Sequence, residues 1–127
     1  MKIKNIVLSG LFFCMTAGVQ AADVTLKPFV LASKSAGTVV EKSAQVKTAL
    51  TTAGFAVAGE YAPYSGTNII VVTNDELKKN AAASEAGGYG AVQRISITEA
   101  GKEIQVSYTN PIYMSNVYRM KGDLSAV

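Results

Sequence analysis

Val92-Gln93-Arg94-Ile95-Ser96-Ile97-Thr98, Glu99-Ala100-Gly101-Lys102 and Glu103-Ile104-Gln105-Val106-Ser107-Tyr108-Thr109 follow one another without a break, and their reading decides the fold. In the first run Ile95 and Ile97 alternate with Arg94, Ser96 and Thr98. In the last, Ile104, Val106 and Tyr108 alternate with Glu103, Gln105, Ser107 and Thr109. Successive side chains of a strand point to opposite faces, so each run is a strand with one apolar and one polar face, and the four residues between them are a hairpin turn. A sheet patterned in this way is one that helices cover on a single side.

Working outward, further strands are expected at Phe29 to Ser33, Phe55 to Tyr61 and Asn68 to Val72. In the last of these, Ile69-Ile70-Val71-Val72 is apolar on both faces, which predicts a central, doubly covered strand. Two S/T-x-x-E sequences, Thr38-Val39-Val40-Glu41 and Thr73-Asn74-Asp75-Glu76, have the spacing at which hydroxyl and carboxylate satisfy each other's backbone N–H groups at a helix start. After the first, Val39, Ser43, Val46, Leu50 and Ala53 recur at helical steps up to Gly54. After the second, an Ala- and Lys-rich run from Asp75 to about Ala86 stops at Gly87-Gly88. The first six elements spell βαββαβ, so the expected fold is α+β, a two-layer sandwich in ferredoxin-like order with its first and third strands central, plus an additional C-terminal strand. Asn110 as N-cap and Pro111 at the first helical position add a short third helix, with Gly122 as its expected end. Asp123-Leu124-Ser125-Ala126-Val127 resembles the start of another helix and reads as a shortened version of a longer protein.

The amino end carries a different message. Lys2 and Lys4 form a basic zone, Ile6 to Val19 an uncharged apolar one, and Val19-Gln20-Ala21 supplies small residues one and three positions before a cut. That is the pattern of a secretory signal peptide over residues 1–21, and the apolar run falls short of the roughly 20 residues a membrane helix needs. Cys14 is preceded by bulky Phe13, so a lipid anchor is not expected. The mature chain, residues 22–127, is then a single domain in the periplasm or outside the cell, with no membrane anchor.

Two of the 12 basic residues leave with the leader and all nine acidic ones stay, so the net charge falls from +3 to +1 and nothing marks a nucleic-acid partner. The only Cys leaves as well, and the chain has no His. Ser-His and Cys-His nucleophilic pairs, imidazole or thiolate metal sites and the common haem ligands are thereby excluded from the mature chain, and no cofactor is expected. The closest acidic pairs, Asp75 with Glu76 and Glu99 with Glu103, are explained by helix capping and by a solvated hairpin. Gly87-Gly88-Tyr89-Gly90 follows a helix instead of opening one, unlike a phosphate loop.

Two segments have the composition of a site. Tyr108, Asn110, Tyr113, Asn116, Tyr118 and Arg119 concentrate half of the six tyrosines near the C-terminus, and Tyr61 and Tyr64 flank Ala62-Pro63 in a loop. Tyr joins an apolar body to a polar tip, which suits pocket walls and interfaces. The same segments also suit a helix that plugs one end of a sheet.

The runs Ala53-Gly54-Phe55 to Glu60-Tyr61-Ala62-Pro63-Tyr64, Val72-Thr73-Asn74-Asp75-Glu76-Leu77, Gly88-Tyr89-Gly90-Ala91 and Tyr108-Thr109-Asn110-Pro111-Ile112-Tyr113 resemble small exported bacterial proteins related to a widespread domain-of-unknown-function family with a two-layer α+β fold. The resemblance implies export and that fold, and no catalytic residue. The expected role is a non-enzymatic module that binds a small apolar or aromatic ligand, or a partner protein. The alternatives are a self-associating homodimer with a structural role and an enzyme built on Tyr, Arg and carboxylates.

Overall fold

The computed structural model describes residues 25–127, and the signal peptide expected at 1–21 lies outside them. In chain order the elements are β1 (Phe29–Ser35), α1 (Val39–Thr52), β2 (Ala56–Tyr61), β3 (Thr67–Thr73), α2 (Asp75–Ala82), a 3-10 turn (Gly87–Gly90), β4 (Gln93–Ala100), β5 (Glu103–Thr109) and α3 (Pro111–Val117).

The β4–β5 hairpin organises the sheet. Ala100 pairs with Glu103 across a two-residue turn, and Gly101 takes the positive φ, 68°, that its first position requires. From there the pairing opposes Thr98 to Gln105, Ile97 to Val106 and Ile95 to Tyr108, so the apolar residues of both strands share one face. On its other side β4 pairs with β3, with Ile70 opposite Ile95, and β3 pairs with β2. β1 adds to the outer edge of β5. The sheet is antiparallel throughout, in the order β1-β5-β4-β3-β2.

This is an α+β fold, but its order is not the ferredoxin-like one, because β1 is an edge strand and not a central one. The reason is local. β3 pairs directly with β4 and leaves no place between them for β1. β5, which follows β4 after only two residues, takes the other edge of β4 at little cost in chain entropy, so β1 is left the outer edge of β5. β1 suits the edge it receives, with a bulge between Leu31 and Ser33 and an exposed Lys34. Since β1 and β2 stand at opposite edges, α1 is carried across one face of the sheet, where it packs on β2, β3 and β4.

Under α1 lies the core: Ile70, Val72, Ile95, Ile97, Ile104 and Val106, joined by half-buried Val39, Val46, Leu50, Phe55 and Tyr108. On the opposite face Ile69, Val71, Ser96, Thr98, Gln105 and Ser107 stay half-exposed and Arg94 is exposed. The expectation of a doubly covered third strand is therefore corrected. Ile69 and Val71 sit among polar neighbours on a partly open face, on which Thr67 donates to Thr98 at 3.3 Å and Ser96 and Thr98 share a hydrogen bond of 2.9 Å.

The helix boundaries follow their caps. Thr38 and Glu41 form the expected capping box at the start of α1. The second expected box does not form. Asn74, not Thr73, caps α2, accepting from Leu77 N–H at 2.8 Å, while the Thr73 hydroxyl donates to the Ala91 carbonyl at 2.7 Å. α2 also stops earlier than its composition suggests, at Ala82. Gly87 then lies so close to the Ala81 carbonyl that a Cβ there would overlap it. α3 begins at Pro111 under an Asn110 cap, as expected, but it ends at Val117, and Arg119 turns the chain with a φ of 49° before Gly122 is reached.

Candidate apolar pocket

Between the second half of α1 and the sheet the layers do not close. Val46, Ala49, Leu50 and Ala53 form the roof, Val72, Ile95, Val106 and Tyr108 the floor, and Phe55, Pro111, Ala32 and Val127 the sides of a cavity of about 400 Å³. The cause lies in the sequence of α1, which presents two alanines over a floor of branched side chains and cannot fill the gap. A pocket of this volume and apolar lining is of the kind that holds small molecules.

No side chain of the wall is a carboxylate, lysine, arginine, serine or threonine. Its polar side chains are Tyr108 and Gln93. Gln93 stands two residues before Ile95 on β4 and is buried. Its Oε1 accepts from the Thr109 hydroxyl at 2.6 Å, whereas its Nε2 is buried without a hydrogen-bond partner.

A second cleft lies under the first half of α1, between that helix and the β2–β3 turn. Here Ser43, Lys47, Glu60 and Asn68 bond to one another. Lys47 reaches both Glu60 oxygens at 2.8 and 3.1 Å, and Asn68 donates to Glu60 Oε1 at 2.7 Å and to Ser43 Oγ at 2.9 Å. The hydrogen bond from Lys47, and after it the one from Asn68, hold the Glu60 carboxyl below the usual glutamate range. Lys47 is committed to Glu60 and Ser43 to Asn68, so this side of α1 is one edge of a structural network.

The residues expected from composition to form one site are dispersed. Tyr108 reaches the apolar pocket. Tyr64 lines the polar cleft at the other end of the sheet, and Tyr61 ends β2 close to it. Asn110 is occupied by capping, with Oδ1 accepting from Ile112 N–H at 3.1 Å and Nδ2 donating to the Lys27 carbonyl at 2.9 Å. Asn116 donates to the Ile112 carbonyl within α3, at 2.8 Å. Tyr113 is half-buried on α3, and Tyr118 stacks on Tyr89 of the 3-10 turn with ring centroids 5.2 Å apart. Arg119 is exposed at the left-handed turn after α3.

The pocket's other residues were not singled out by composition. One of them left a signal: Gln93 has the same parity as Ile95 and Ile97, a polar residue in an apolar register. The hollow itself comes from Ala49 and Ala53, and a small residue in a helix pattern does not by itself mark a pocket.

Among the described residues no helix is long and apolar enough to cross a membrane, and no group of three acidic, His or Cys side chains is placed to hold a metal ion. Fold and site together define an α+β protein with a one-sided antiparallel sheet and an apolar pocket under its long helix. No protein-family model matches the sequence, and no curated protein does.

Proposed function

We propose that this protein is an exported, non-enzymatic binding module of the periplasm or extracellular space, which takes a small apolar or aromatic ligand between α1 and the sheet. The observation that carries the reading is the cavity of about 400 Å³ whose wall is almost wholly apolar. Lining side chains that include no acid, base or nucleophile other than the Tyr108 phenol offer burial and little chemistry. Apolar surface moved from water into such a site gains on the order of 25 cal/mol per Å². The kinship with small exported bacterial proteins of the α+β type belongs to the same proposal.

N-phenyl-1-naphthylamine, a neutral probe that brightens in apolar surroundings, tests the reading. Its fluorescence is expected to rise saturably with wild-type protein. Ala49→Trp fills the pocket from an exposed helix position and is expected to abolish the rise, while Ala44→Trp on the polar cleft leaves it intact. No rise with wild type, or an Ala49→Trp protein that binds like wild type, contradicts the proposal.

A second reading, self-association, is favoured by Phe29 and Leu31, which are 64% and 50% exposed on the edge strand β1. The bulge and Lys34 on that strand weigh against edge-to-edge pairing. A monomer at micromolar concentration by sedimentation excludes it.

A further inference from the structure

We infer that the pocket's ligand is a neutral, mostly apolar molecule carrying one hydrogen-bond acceptor, and that the Gln93 side-chain amide is the group that reads that acceptor. The inference rests on the pocket proposed above and adds the chemical class of its occupant.

Gln93 is 4% exposed and sits in the apolar register of β4, where a leucine or methionine would pack without any polar requirement. Its orientation is fixed from behind. The Thr109 hydroxyl accepts from the Arg94 N–H at 3.1 Å and donates its single proton to Gln93 Oε1, 2.6 Å away. With the oxygen pinned, the amide nitrogen is turned the other way, where no protein group accepts from it. A buried donor left unpaired is destabilising, and a chain that keeps one on a pocket wall has a use for it.

The rest of the wall sets the remaining chemistry. No charged side chain lines the cavity, so a carboxylate or ammonium ligand would lose its hydration without compensation. An acceptor such as a carbonyl or ether oxygen matches the one buried side-chain nitrogen left unpartnered at the wall. Nε2 is covered by its neighbours, so an acceptor meets it only as the apolar body of the ligand pushes a wall side chain aside. Recognition of the oxygen is thereby tied to seating of the apolar body.

Benzophenone and diphenylmethane test this, since they share two rings and differ in a carbonyl against a methylene. Each is titrated against N-phenyl-1-naphthylamine bound to wild type and to Gln93→Met. The preference for the ketone is expected to fall about ten-fold in Gln93→Met, the loss of one hydrogen bond. An unchanged preference overturns the role of Gln93. The carbonyl stretch of benzophenone bound to wild type needs no variant. A shift to lower wavenumber than in a hydrocarbon solvent is expected, and a hydrocarbon-like stretch overturns the inference even if Gln93→Met does not fold. Diphenylacetate is expected not to compete, and competition as strong as benzophenone's overturns the neutrality of the ligand. Displacement of the probe by neither neutral molecule overturns the pocket reading as well, whereas displacement by both with equal preference in the two proteins overturns the Gln93 assignment alone.

Discussion

Two sides of α1 lie on the same sheet and do opposite things. On one, Ser43 and Lys47 meet Asn68 and Glu60, and these four polar side chains find partners in one another. On the other, Val46, Ala49 and Leu50, with Ala53 at the C-cap, stand over Val72, Ile95 and Val106 and leave a hollow, with one amide nitrogen unpartnered at its wall. Four polar groups committed to one another are not free for a ligand. A hollow that is apolar and underfilled is. Polarity in the first case and small side-chain volume in the second separate structure from candidate function along a single helix.

Truncation should separate the packed core from the hollow most. Ile70→Ala removes a fully buried side chain opposite Ile95 and is expected to cost about 2–5 kcal/mol in urea denaturation. Leu50→Ala, at the rim of an existing hollow, is expected to cost about 1–2 kcal/mol, because less packing is lost there. Equal losses would mean that the hollow is filled by the protein itself. Next in size, Asn68→Ala withdraws the donor shared by Ser43 and Glu60 and should cost about 1–3 kcal/mol by the same assay. A loss within error would show that this cleft is not held by its polar network.

Filling instead of emptying gives the converse test. Ala49→Leu adds apolar volume over the pocket and is expected to raise stability by about 0.5–2 kcal/mol while weakening the probe, whereas Ala44→Leu on the polar side should do neither. Thermal denaturation with and without N-phenyl-1-naphthylamine reads both effects.

The smallest effect belongs to the ion pair. Lys47 and Glu60 keep 38% and 35% of their side-chain surface exposed, so the pair contributes only about 0.2–1 kcal/mol. Its sign with pH is defined. Glu60 titrates lower in the folded chain than the ordinary glutamate value of about 4.3, so the stabilisation is complete above that value and is lost as the pH falls through the depressed one. Comparing urea midpoints at neutral and acid pH, Glu60→Gln should remove that part of the acid sensitivity.

What the sequence disclosed follows from the range of the forces involved. The β4–β5 hairpin was legible because period-two alternation and a tight turn are local, and β5 begins and ends where the alternation does. The Thr38 capping box was legible for the same reason. The place of β1 was not, since it depends on which sheet edge remains free once β5 has paired. In the Tyr-rich segment the fold spends Asn110 on a cap, Asn116 on the helix and Tyr118 on a stack with Tyr89, and of the residues singled out there only Tyr108 lines the pocket. Gln93 was legible in principle from its parity with Ile95. Ala49 and Ala53 were not, because a small residue becomes a pocket only through what it fails to touch.

The central claim is that a small apolar ligand enters between α1 and the sheet. Methyl-resolved NMR during titration with N-phenyl-1-naphthylamine tests it most directly. Saturable shifts at Val46, Leu50, Val72, Ile95 and Val106, with Ile69 and Val71 on the opposite face unmoved, are the predicted result. Shifts confined to Ile69 and Val71, or no shift at any methyl, would contradict it.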